Sequence, residues 1–127
     1  MSLWAILAAP LLAGNDLSTM TAETKAMLTN RDVIAVDQDA AGKQGDRVWT
    51  EGPIEIWVRQ LADGSKAVGV FNRHPSALTA TVDFKALGFS RAVKARDIWQ
   101  GKDLGTISAP YTAKIPGHGV LFLKVSQ

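Results

Sequence analysis

The chain has 127 residues, 46% of them apolar, and its 14 basic and 12 acidic side chains leave a formal net charge of +2. That length allows one domain with an appendage and excludes a complete (β/α)8 barrel, which needs roughly 250 residues. Cysteine is absent, which removes disulfides, thiolate catalysis and cysteine-ligated zinc and leaves the redox compartment undecided.

The first element is a short helix over residues 2–9, stopped by Pro10, which lacks an N–H and disfavours helix in its predecessor. Leu11-Leu12-Ala13 follows as a run apolar on both faces, the pattern of a strand inside a parallel barrel, and Gly14-Asn15-Asp16 closes it with turn residues. Residues 3–13 also resemble the core of a signal peptide. No Lys or Arg precedes them, and Leu11-Leu12-Ala13 makes a poor cleavage site. Eleven residues fall short of the about 20 that cross a bilayer, so no membrane partner is expected. Thr21 is placed to cap a helix over residues 22–29, with Glu23 in its first turn. Asn30 breaks that helix, a short helical turn restarts at Asp32, and residues 40–45 read as a linker.

Beyond residue 45 alternation replaces helical periodicity. Ile54, Ile56 and Val58 share one face and Glu55, Trp57 and Arg59 the other. Asp63-Gly64 marks a hairpin whose second strand covers residues 66–72. Further strands are predicted at 77–84, 93–99, 111–115 and 119–125, separated by turn clusters at 74–76, 87–89, 101–103 and 116–119. Short strands at this spacing predict a mainly β chain with an antiparallel, Greek-key-like sandwich.

The order of several segments resembles the α-galactosidases of glycoside hydrolase family 27 and the related α-N-acetylgalactosaminidases. The segments are Ser2-Leu3-Trp4-Ala5, Ala9-Pro10-Leu11-Leu12, Asn15-Asp16-Leu17, the run from Asp32 to Asp39, and Gly42-Lys43-Gln44-Gly45. Glu55-Ile56-Trp57, the stretch Leu61 to Ser65 and the stretch Val68 to Arg73 complete the series. From Ser76 onward the likeness is one of pattern only. The resemblance implies two parts: residues 1–45 as the end of a catalytic (β/α)8 barrel, starting within its seventh repeat, and residues 46–127 as the C-terminal β-sandwich. It implies that the parent removes terminal α-linked galactose with retention, using two carboxyl groups about 5 Å apart. The family's nucleophile sits in a Lys-Tyr-Asp context and its acid/base near an Arg-x-Asp-Asp segment. The only tyrosine here, Tyr111, is followed by Thr112, and no two aspartates are adjacent. No catalytic residue is therefore expected, and the chain alone is predicted to be inactive.

The resemblance places Asn15 and Asp16 at the C-terminal end of the eighth barrel strand, near the sugar pocket of a full-length parent; a satisfied strand-to-helix turn is the competing reading. Trp57 is a candidate for sugar stacking or interdomain contact. Asp37 and Asp39 diverge by about 200° on a helical turn, which argues against a carboxylate pair and for hydrogen bonding to the linker. His74 and His118 lie in separate turns and lack ligand spacing, so no metal and no cofactor are expected. The scattered Arg47, Arg59, Arg73, Arg91 and Arg96 read as a solvated surface, which points away from a nucleic-acid partner. The expected partners are the parent's barrel or a second copy meeting Leu3, Ile6, Leu7, Leu11 and Leu12, with galactosides as possible ligands. A carbohydrate-binding sandwich and a self-associating module are the alternatives. A secreted or periplasmic location follows from the resemblance only.

Overall fold

A computed structural model describes residues 1–127. Three short helices, α1 (Ser2–Ile6), α2 (Ala22–Leu28) and α3 (Arg31–Asp37), precede eight strands. The strands are β1 (Asp46–Glu51), β2 (Ile54–Gln60), β3 (Lys66–Asn72), β4 (Leu78–Val82), β5 (Val93–Asp97), β6 (Lys102–Ile107), β7 (Tyr111–Ile115) and β8 (Val120–Ser126). Six of them form one antiparallel sheet in the order β1-β2-β3-β8-β5-β6, and β4 pairs with β7 in a second sheet.

The helices form where local chemistry allows. The Thr21 side chain accepts the Thr24 amide at 3.2 Å, and Asn30 accepts the Val33 amide at 3.1 Å. Asn30 thus ends α2 and caps α3, a dual role that lets two seven-residue helices follow each other closely.

Two cores form, one on each face of the large sheet. Between the sheets, Ile54, Ile56, Val68, Val70, Leu123 and Val125 pack against Ala80, Val82 and Ile115. The opposite face carries Ala67 and Phe122, on which α1 and α3 lay Ala5, Ile6, Val33 and Val36. The predicted face of Ile54 and Ile56 is therefore the sandwich core, and the Trp57 face is the helix-covered one.

Glycine makes the helix docking close. A Cβ on Gly69 would stand 2.6 Å from the Ile6 Cδ1, and one on Gly45 would stand 2.7 Å from its Cγ2. Ile6 thus sits in a socket of two missing side chains, and its carbonyl accepts the Gly45 amide at 2.7 Å.

Five expectations are corrected. Residues 11–13 form no strand, and Leu12 is 79% exposed; an apolar run becomes a strand only when a neighbour supplies hydrogen-bond partners. The first helix ends at Ile6, short of residue 9. Strand β6 starts at Lys102, where a turn was predicted, and β1 precedes the first predicted strand. Arg59 is fully buried, because the polar-looking face of β2 lies under α1 and α3.

Candidate functional site

The outer face of the large sheet holds the most chemically distinctive side chain. Arg59 projects from β2 beneath the helices, and its Nη1 donates to the carbonyls of Ala5 and, at 3.2 Å, of Asp37. Ala5 lies in the final turn of α1 and Asp37 is the last residue of α3. Two helix C-termini, each the negative end of its dipole, therefore converge on one guanidinium. Its Nε and Nη2 and the nearby buried Asp37 Oδ1 have no hydrogen-bond partner. Arg59 works as a clamp between helices and sheet.

Further out on the same face, Trp57 is half-buried and donates its indole N–H to Glu55 Oε2 at 2.9 Å. Arg73 reaches the same carboxylate oxygen at 3.3 Å, Arg47 the other at 3.5 Å, and Arg47 also lies 6.0 Å from the Trp57 ring centre. The indole hydrogen bond, followed by the Arg73 contact and charge, holds the Glu55 carboxyl below its ordinary range despite partial burial. The cluster fixes the Trp57 ring and spends its only donor.

Asn15 and Asp16 lie in the exposed segment between α1 and α2. Asp16 Oδ1 accepts the Ser18 hydroxyl at 2.7 Å and the Ser18 amide at 2.8 Å, which lowers its pKa from the ordinary value. Asn15 contacts only the Asp16 carbonyl, at 3.5 Å. The structure brings these two together and leaves them separate from Trp57, which belongs to the Glu55 cluster.

The other sequence candidates are held by local bonds. Asp39 accepts the amides of Ala41 and Ala62, tying the linker to the β2–β3 hairpin. Asp37 accepts Gln38 Nε2 through Oδ2. His74 accepts the Ser76 amide through Nδ1, and His118 sits in the left-handed region at φ 53. No group of three or more His, Asp or Glu side chains is arranged to hold a metal ion, and no helix is long and apolar enough to cross a membrane.

A groove of about 610 Å³ opens where α1 and α2 meet the sheet, lined mainly by Met1, Leu3, Met27, Phe71, Trp99 and Val120. Trp99 closes its floor by donating to Ser2 Oγ at 2.8 Å. Trp4, Leu12, Leu17 and Met27 leave further apolar surface exposed on the N-terminal segment.

Sequence reasoning missed Arg59 and the buried Asn72. Asn72 Nδ2 donates to the carbonyls of Ser76, Ile115 and Pro116, and its Oδ1 accepts the His74 amide. A signal existed for Arg59: it alternates in phase with Trp57 on a face that a preceding apolar helix could cover.

Comparison with known proteins adds the family context. Residues 51–125 match the model of the α-galactosidase C-terminal β-sandwich domain, and residues 1–39 match the model described as α-galactosidase A. The chain is 35% identical to a probable α-galactosidase D of Aspergillus niger over 99% of its own length and 20% of that protein. It is 36% identical to α-galactosidase A of Cellvibrio japonicus, covering 98% of itself and 34% of the relative. Among solved structures, α-galactosidase I of Mortierella vinacea superposes with a TM-score of 0.94 at 33% identity, over 99% of this chain and 34% of that one. A family 27 β-L-arabinopyranosidase of Geobacillus stearothermophilus gives 0.92 at 30% identity, over 99% and 28%. The chain thus spans about a third or less of the length of these relatives.

Proposed function

Because the chain belongs to the α-galactosidase family, whose C-terminal β-sandwich model matches more than half of its residues, we propose that it is the non-catalytic tail of a retaining α-galactosidase. In this reading residues 1–45 complete the catalytic barrel, and residues 46–127 form a sandwich that caps and stabilises it. The whole enzyme hydrolyses terminal α-linked galactosides, with its nucleophile and acid/base on other repeats of the barrel.

One observation carries the reading. The barrel-matching segment is anchored to the sandwich by Ile6 in its glycine socket and by Arg59, while Trp4, Leu12, Leu17 and Met27 remain exposed on the same segment. A segment fixed on one side and apolar on the other suits a joint between two bodies. The preferred partner of that surface is the rest of the barrel; without it, a second copy of the chain would cover the patch. Asn15 and Asp16 would then stand at the rim of the sugar pocket.

Four carboxylates of this chain are tuned away from the acid's role in glycoside cleavage. A retaining mechanism needs one carboxylic acid with a raised pKa near pH 6. Asp16, Glu23, Glu55 and Asp63 are all held below their ordinary values by hydrogen bonds. The test is hydrolysis of a chromogenic aryl α-galactoside by the purified chain at high protein concentration. No turnover above buffer is expected. Turnover that co-purifies with the chain and disappears on replacing Asp16, Asp37 or Asp39 would overturn the assignment.

A further inference from the structure

Trp57 and Trp99 both spend their indole N–H on a protein acceptor, Glu55 and Ser2 respectively. Trp49 does not. It stands on β1, the edge strand of the large sheet, with 42% of its surface exposed and no hydrogen bond from its ring nitrogen to the protein.

Its direction is set by a break in register. Arg47 lies opposite Trp57, on the helix-covered face, and Trp49 lies opposite Ile56, on the sandwich-core face. Without the intervening bulge at Val48, strict alternation would return position 49 to the face of Arg47. The bulge therefore turns the indole toward the open side of the sandwich.

A cleft of about 400 Å³ lies there, lined by Trp49, Glu51, Ile54, Thr79, Ala80 and Thr81. One wall is β4, which pairs only with β7 and so leaves its other backbone edge unpaired. The Thr79 hydroxyl and the Glu51 carboxylate have no side-chain partner in the protein, whereas Thr81 pairs with Thr112 at 2.9 Å. The volume falls within the roughly 300–1,000 Å³ of small-ligand sites.

We propose that this cleft binds a pyranose sugar at a site separate from any catalytic pocket. A pyranose has an apolar face of axial C–H groups and a rim of hydroxyls. The indole face offers the flat apolar surface. The indole N–H, Glu51, Thr79 and the free edge of β4 offer donors and acceptors around it. The proposal rests on the Trp49 surroundings alone and stands or falls independently of the non-catalytic role above.

The experiment is a two-dimensional ¹⁵N–¹H titration of the full chain with methyl α-D-galactopyranoside and, in parallel, methyl α-D-mannopyranoside, to high millimolar concentration. Trp49→Phe identifies the indole cross-peak. A saturable shift of that peak with the amides of Glu51 and residues 79–81 is expected, in at least one titration. Trp49→Ala should weaken it about tenfold, while Trp57→Phe leaves it unchanged; thermal midpoints verify that each variant is folded. A peak that stays still with both sugars, moves without saturating, or moves less than that of Trp4 or Trp57 would overturn the proposal.

Discussion

Replacing Arg59 by alanine removes the clamp and leaves the fold of each sheet intact. The side chain is fully buried, and Nη1 bonds the carbonyls that end α1 and α3. Each bond to a charged donor is worth about 1.5–3 kcal/mol, and truncation also leaves both carbonyls unpaired around a new cavity. Against this stands the relief of burying a cation whose Nε and Nη2 are unpaired. The balance should cost about 3 kcal/mol, and at this chain length the thermal midpoint should fall by about 10 °C. Arg59→Met keeps the packed stem and removes only the charge and its bonds, so it should lose about half as much. Urea unfolding gives the energies, and amide exchange shows where they act: the amides of α1 and α3 should lose protection before those of β3 and β8. Arg59→Met more stable than the parent chain would refute the reasoning, because the cation would then cost more than its two bonds return. So would Arg59→Ala losing less than about 1 kcal/mol.

Gly69→Ala should destabilise by about 1–3 kcal/mol, since its Cβ would press on the Ile6 Cδ1 at 2.6 Å and the Phe71 ring at 2.8 Å; paired Gly69→Ala and Ile6→Ala variants should restore part of the loss in a double-mutant cycle. Asn72→Ala should cost about 2–3 kcal/mol by thermal unfolding, because it frees four backbone groups that the amide satisfies together. The Asp63 carboxyl is held below its ordinary range, first by Lys124 at 2.7 Å and then by Ser65. Its folded pKa is lowered, so its contribution is full above the unfolded value of about 3.9 and fades as pH falls below it. The side chain is 54% exposed, so the effect should stay below about 1 kcal/mol, and Asp63→Asn should flatten that part of the acid limb of stability against pH; an unchanged limb would argue against it.

The hairpin of β2 and β3 was legible because both signals it needs are local: the alternation of Ile54, Ile56 and Val58, and Asp63-Gly64 at the turn, where Gly64 has φ 80. Strand β1 was not, because the bulge at Val48 breaks the period that would reveal it and all six residues are exposed. Gly105 at φ 74 interrupts β6 in the same way. The burial of Arg59 could not be read from β2 by itself: its phase with Trp57 becomes a signal only when joined to the apolar helices that cover it, which lie more than 20 residues away in sequence, at Ala5 and Asp37. The family resemblance was legible through the order of short segments. The cleft at Trp49 was not, because it exists only where a register shift and the edge of a second sheet meet.

The last strand of the chain, β8, is an interior strand of the large sheet, hydrogen-bonded to β3 on one side and β5 on the other. During synthesis α1 leaves the ribosome well before its partners are made: Ser2 waits for Trp99, 97 residues on. Until residues 120–126 emerge, β3 and β5 lack the strand that joins them, and the Ala67 face under α1 lacks Phe122. Docking of α1 on this sheet therefore waits for residues 120–126, and the exposed apolar side chains Trp4, Leu12, Leu17 and Met27 need shielding until then. Loss of residues 120–126 would remove the middle of the sheet rather than trim its margin.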